Sequence, residues 1–222
     1  MKTHYWPYNT LYNIHCYIRN RWIDHSHAMI ASKDHIKRGQ WCDVDYRFLP
    51  CLFDTLVNFV EQEYAWEATW NNDKYNVPFW QNIKLLRLGG WRSREAGIDN
   101  LRWAMALIND ENNNYQPSDK GYGQPTQQAI AAKEILDLYL WWTDVYPLRP
   151  DAHIASGFSA YCEEKRKLGG NLLDFNHLNE SEELKKRGKK AFKLSRKLEE
   201  QYEKEDTDHL IRLIKIRHSL WT

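Results

Sequence analysis

The chain has 222 residues, with 31 Lys and Arg against 30 Asp and Glu and a formal net charge of +1. No global basic field therefore marks it as a binder of extended DNA. It is long enough to bury a core, 42% apolar and 27% charged, and it lacks any uncharged apolar run of about 18 residues, so membrane span and signal peptide are both excluded as expectations.

Tyrosine and tryptophan are the unusual entries, 13 and 11 of them, which must be core rings or stacking surfaces. Thr10 to about Ile30 reads as a first helix, with Leu11, Ile14, Cys16, Ile18, Trp22, Ile23 and Met29 among His and Arg. A polar connection closes at Gly39, and Asp43 is placed to cap a central helix running to Trp70. Leu49, Leu52, Phe53, Leu56, Val57, Val60 and Tyr64 form its apolar stripe at steps of three and four. Pro50 leaves two options: regular helix starting near Leu49, or a kink.

Residues 71–90 begin as loop and include a short apolar turn, Ile83–Leu88, ended by Gly89 and Gly90. Trp91–Asp110 is predicted as a third helix bearing Ile98, Leu101, Ala104, Met105 and Ile108, with Gly97 allowing close approach of a neighbour. Glu111–Gln124 reads as a surface loop and a site for proteolytic nicking. Pro125 opens a fourth helix with Ile130, Ile135, Leu138, Tyr139 and Trp142 inward and Trp141 on a flank, stopped by Pro147 and Pro150.

Asp151 is expected to cap a fifth helix ending near Leu168 before Gly169 and Gly170. Asn179 with Glu182 reads as a capping box for a sixth, about Glu180–Glu205, bearing Leu184, Ala191, Leu194, Leu198 and Tyr202. Asp206 then starts a last helix with Leu210, Leu213, Ile214 and Leu220 on one side. No strand pattern or internal repeat is present. The prediction is a single all-α domain of about six or seven helices, residues 1–178 a helical core and 179–222 a C-terminal hairpin packed on it.

Three groups of residues carry candidate chemistry. Asp24, His25 and His27, with Asp34 and His35, offer nitrogen and oxygen ligands, but at the spacing of no closed metal template. Glu63 with Glu67 and Glu95 with Asp99 are each four apart, so each pair lies on one helix face. Facing one another, they would hold Mg²⁺ for hydrolysis of a nucleotide phosphate. The all-α nucleoside triphosphate pyrophosphohydrolases pair two acidic helices in this way, but at intervals of three. A solvated acidic face is the plainer reading of the same residues.

The third group is aromatic and basic: Trp41, Arg47, Trp91, Arg92, Arg94, Arg102, Trp103, Trp141, Trp142, Tyr146 and Arg149, of which Trp41, Arg47, Trp103, Trp142 and Arg149, together with Asp45, are the expected ligand-binding residues. Rings offer stacking faces and guanidinium forks grip phosphate, which suits a small anionic ligand, while core tryptophan with surface arginine is the alternative. GxSxG, HExxH and Gly-rich phosphate loops are all missing, so no catalytic residue and no cofactor is assigned beyond the Mg²⁺ alternative. Cys16, Cys42, Cys51 and Cys162 form no CxxC pair, which favours reduced thiols in a cytosol.

Several phrases carry a resemblance: Gly39-Gln40-Trp41 followed by Asp45 and Arg47, Leu56-Val57 with Phe59-Val60-Glu61 and Glu63, and Leu138-Tyr139 with Trp141-Trp142-Thr143. Tyr146-Pro147 with Arg149-Pro150-Asp151, Tyr161-Cys162-Glu163, and Leu210 to Arg217 with Leu220-Trp221-Thr222 continue it. From about Tyr17 to its end the chain resembles a family of tailed-bacteriophage proteins of unassigned function. The resemblance implies a phage-encoded protein acting in the cytoplasm of an infected bacterium, and it carries over no catalytic residue. The expected role is that of a non-enzymatic accessory protein binding a small anionic ligand or a host protein, as in counter-defence. The two alternatives are the Mg²⁺-dependent hydrolase and a virion structural component.

Overall fold

A computed structural model describes residues 8–18, 31–32, 35–37, 41–76, 92–168 and 181–220. Among them the protein is all-α. Its one β feature is an isolated antiparallel bridge between Ile108 and Pro125. The chain divides into two compact units, one formed by residues 1–140 with 213–222 and the other by residues 141–212.

In the first unit, α1 spans Tyr8–Ile18; the rest of the predicted first helix, with Trp22, Ile23 and Met29, lies outside the described residues. The central helix is a continuous rod in three parts: α2 (Val44–Asn58), a π-helical segment (Phe59–Tyr64) and α3 (Ala65–Asn71). Regular helix begins at Val44 and runs through Pro50, neither delayed to Leu49 nor broken. Proline at position 50 removes the donor that the Tyr46 carbonyl would use; Tyr46 lies exposed in the first turn, where water can replace it. Asp43 precedes the helix as expected, but its carboxylate makes no capping hydrogen bond.

Phe53, Leu56, Val60 and Tyr64 are buried along the predicted stripe, and Leu49, Leu52 and Val57 half-buried. Each such side chain removed from water contributes roughly 1.5–3 kcal/mol. Helix α4 (Arg94–Met105) packs against both α3 and the π segment, and α5 (Gln127–Leu140) packs on α4 and α2.

The predicted third helix is shorter at both ends. Ser93 caps α4 by accepting from the Ala96 N–H at 3.2 Å. After Met105 the chain becomes extended: the Leu107 carbonyl accepts from Thr126 N and Asn109 N donates to the Gln124 carbonyl. Ile108 therefore leaves the helical stripe and is exposed. Residues 111–124 are a surface loop that is internally bonded: Asp110 accepts from Asn112 N, Asp119 from Gln116 N, and Asn109 donates to the Gly121 carbonyl.

Ile135, Leu138 and Tyr139 are buried on α5 as predicted, whereas Ile130 is exposed. A second π segment, Trp141–Val145, opens the second unit. Trp141 and Trp142 are both buried there, the former against the expectation of a flank position. A widened turn places consecutive side chains closer in angle than an α-turn does, so both rings can face inward.

The expected fifth helix is two. Asp151 accepts from His153 N (2.9 Å) and Ile154 N (3.0 Å) and caps α6 (Ala152–Ala155). Gly157, at φ +76°, then turns the chain into α7 (Phe158–Lys167). Asn179 lies outside the described residues; Ser181 Oγ instead accepts from Leu184 N at the start of α8.

Helix α8 is uninterrupted from Glu182 to Lys215, so no turn occurs at Asp206. Asp206 is held within the helix by Arg149 (2.7 Å), and it lies far from the free donors that make aspartate a cap. A hairpin-like pair does exist, between α7 and the first half of α8. Gly188 lies against the Tyr161 ring, and Arg187 pairs with Glu164. Leu184, Ala191 and Ser195 are buried on this face, and Leu194, predicted inward, is exposed.

Candidate functional site

The acidic residues of the first unit do come together, because α4 packs across the π segment and α3. What they meet there is protein. Lys74, in the loop after α3, places its ammonium 2.7 Å from Glu95 Oε1 and 3.1 Å from Asp99 Oδ2. Tyr75 donates to Asp99 at 2.7 Å, and Arg102 approaches it at 3.5 Å. The Tyr75 hydrogen bond, with Lys74 and Arg102, holds the Asp99 carboxyl below the usual carboxylate range. The Lys74 ammonium is shifted upward, first by its bond to Glu95.

Glu67 is tied to Asn100, which donates at 3.0 Å and itself accepts from Asn71 at 3.1 Å. Burial raises the Glu67 pKa and the nearby Glu63 charge adds to the rise, with the Asn100 bond opposing both. Burial also pushes the Tyr64 phenol up to about 12, aided by the charge of Glu67.

Glu61 is more enclosed than Asp99 or Glu95. It accepts from the buried Tyr139 hydroxyl at 2.6 Å and from Arg92 Nε at 2.6 Å, and Arg92 also donates to Asn58 at 2.8 Å. Glu63 is exposed on the same rod. Among the described residues no group of three or more His, Cys, Asp or Glu could hold a metal ion. Glu63, Glu67, Glu95 and Asp99 thus lie on packed elements, but Glu95 and Asp99, one of the two pairs that would share Mg²⁺ in the alternative reading, are already neutralised by Lys74. Lys74, Tyr75 and Asn100 carried no sequence signal, since they come from a loop and a helix face with no periodic partner, and Arg92, grouped in the sequence with the aromatic and basic residues, serves Glu61 instead.

Of the proposed metal ligands near the N-terminus, only His35 is described. It bonds the buried Asp54 at 3.0 Å, and Asp54 also accepts from Ser32 N at 2.6 Å, so Ser32 and His35 are both held to α2. Asp24, His25, His27 and Asp34 lie outside the described residues.

The aromatic and basic group divides. Trp142 is only 2% exposed, its ring 4.4 Å from Tyr146, and it offers no face to a ligand. Arg149 is committed internally: it bonds Asp206 at 2.7 Å and Glu205 at 3.3 Å, over the rings of Trp141, Tyr146 and Tyr202. The same Glu205 accepts from Trp141 Nε1 at 2.8 Å, and His209 stacks on Trp141 at 3.8 Å. Here the plainer reading of core tryptophan holds, with an arginine serving as a cross-link.

Trp41 stands apart at 82% exposure, just ahead of α2. Val44, Arg47 and Phe48 share one face of the first turns at spacings of three and four, all exposed. Asp45 and Tyr46 are exposed on the other sides, and Trp103 is partly exposed on α4.

Among the described residues of the second unit, one arrangement joins catalytic residue types. Ser195 Oγ lies 2.9 Å from His153 Nδ1, and His153 Nε2 lies 3.5 Å from Glu199 Oε1. Ser195 is 1% exposed on the inner face of α8, so its hydroxyl fixes α6 to α8 and is closed to any substrate. Comparison of the chain with protein-family models, with curated proteins and with solved structures gave no match in any of the three.

Proposed function

We propose that the protein is a non-enzymatic accessory protein of a tailed phage that works in the infected bacterium by docking the aromatic start of α2 on a host protein. The observation that carries this reading is the exposure of Trp41, Val44 and Phe48 around Arg47. Large apolar side chains grouped in water mark interaction surfaces, and Trp with Arg are the residues richest in binding energy at such contacts. The commitment of Glu61, Glu67, Glu95 and Asp99 to internal bonds supports a binding role over hydrolysis. The phage context rests on the resemblance of the Gly39–Arg47 and Trp141–Asp151 phrases described above.

Affinity capture from the infected host's lysate, with the parent protein and a Trp41→Ala/Phe48→Ala variant side by side, tests the reading. A host protein recovered by the parent and lost by the variant supports it. Equal recovery by both proteins, or calorimetric binding of a nucleotide that Trp41→Ala abolishes, overturns it in favour of another surface or a small-ligand site.

A further inference from the structure

Helix α8 segregates its charges along its length. Residues 185–197 contain eight Lys and Arg and no acid, whereas residues 198–208 contain six Asp and Glu and one Lys. At about 100° of turn per residue, Lys186, Lys189, Lys190, Lys193, Arg196 and Lys197 fall within an arc of about 120°. That arc faces away from the buried Leu184, Ala191 and Ser195.

All six cations are exposed, and among the described residues none has an ion-pair or hydrogen-bond partner. Their neighbours Lys185 and Arg187, by contrast, pair with Glu182 and Glu164. Spacings of three and four stack like charges one turn apart, which opposes the helix unless an anion neutralises them. The contacts of Phe158 with Phe192 and of Glu164 with Arg187 run in opposite chain order, so α7 is antiparallel to α8.

We infer that this face of α8 binds the phosphate backbone of a nucleic-acid duplex without regard to sequence. From Lys186 to Lys197 the row is about 17 Å long. That exceeds the screening length of about 10 Å at 0.1 M salt, so the neutral total charge of the chain does not cancel its field. Five of the six are point-charge ammonium groups, which grip phosphates but lack the planar fork, present only at Arg196, that reads base edges. No large apolar side chain lies within the arc. Phe192 and Leu194 sit at its margins, and Phe192 packs with Phe158 at 5.5 Å. The face thus lacks the apolar wedge that anchors a helix in a lipid surface, and the rings on which single-stranded bases stack. Glu199, Glu200 and Glu203 bound the footprint at its far end.

Fluorescence anisotropy of the full chain with a labelled random-sequence DNA duplex of about 25 base pairs, from about 50 to 200 mM NaCl, tests the inference. The duplex is expected to bind at the low-salt end, and log K to fall against log salt with a slope of about −4 to −6. Lys186→Gln/Lys190→Gln/Lys193→Gln/Lys197→Gln should weaken binding at least about tenfold and flatten the slope by about 3 to 4. Arg at the same four positions should preserve both, and Lys204→Gln, a cation among the acids, should change neither. Loss of binding in the Gln variant counts only with an unchanged helical circular dichroism spectrum; if that variant fails to fold, the parent's slope and the Arg variant decide. No binding of the duplex by the parent, a slope shallower than about −1, or binding to phosphatidylserine vesicles in place of the duplex each overturns the inference.

Discussion

Gly97 of α4 lies against the Val60 carbonyl of the π segment so closely that a Cβ at Gly97 would overlap that oxygen. The contact sets the distance between the two acidic elements. Beside it the Glu61 carbonyl accepts from Ser93 N at 2.8 Å. The π turn leaves these carbonyls directed at α4, and the absence of a side chain at position 97 lets α4 reach them.

Gly97→Ala is accordingly expected to destabilise the fold by at least about 1–3 kcal/mol, because the clash is with backbone and neither element can yield without losing its neighbours. On an isolated helix the same change would be stabilising by about 1 kcal/mol. A lowered urea midpoint with unchanged m-value checks the prediction; a raised midpoint contradicts it.

The Tyr139 hydroxyl is fully buried, and Glu61 is its partner. Tyr139→Phe leaves Glu61 its Arg92 bond and is expected to cost about 1.5–3 kcal/mol, the range for a bond to a charged group. Glu61→Ala removes the Tyr139 and the Arg92 bonds together and should cost more than Tyr139→Phe. The double variant should then cost less than the two singles added, which a double-mutant cycle in urea measures directly.

Alkaline pH should unfold the protein earlier than its ordinary residues would dictate. Tyr64 keeps its proton in the fold up to about 12, against 10.0 for an unperturbed phenol. Between those values the unfolded chain has released a proton that the folded chain retains, so stability falls as pH rises. Lys74 acts in the same direction: its raised pKa contributes stability below the unfolded value of 10.5 that is lost as pH rises through the folded one. Chemical denaturation at pH 8, 10 and 11 should therefore give a falling series, and Tyr64→Phe should make the fall shallower.

Trp142 and Trp41 were alike in the sequence and should behave oppositely. Trp142→Ala empties a buried site and is expected to cost about 3–5 kcal/mol. Trp41→Ala, in a side chain almost wholly in water, should change stability by less than about 0.5 kcal/mol while removing partner capture. A stability loss at Trp41 comparable to that at Trp142 would contradict the assignment of Trp41 to a docking surface.

The sequence by itself determined the helical class, the stripe through Phe53, Leu56, Val60 and Tyr64, the inward Ile135, Leu138 and Tyr139, the Asp151 cap and the close approach at Gly97. Each is a local or periodic property: a helix repeats every 3.6 residues, so its buried face is written at steps of three and four, and caps and glycines act within a turn. Only the tertiary structure decided which polar groups meet. Lys74 between Glu95 and Asp99, Arg92 and Tyr139 on Glu61, and Arg149 on Asp206 join residues 21, 25, 31, 78 and 57 positions apart, and no periodicity encodes such pairs. The π turns at Phe59–Tyr64 and Trp141–Val145 were equally hidden, because widening one turn shifts the facing of later side chains without altering any residue type. That is why the acidic and aromatic residues, both conspicuous in the sequence, divide into internal cross-links within each unit and the exposed start of α2.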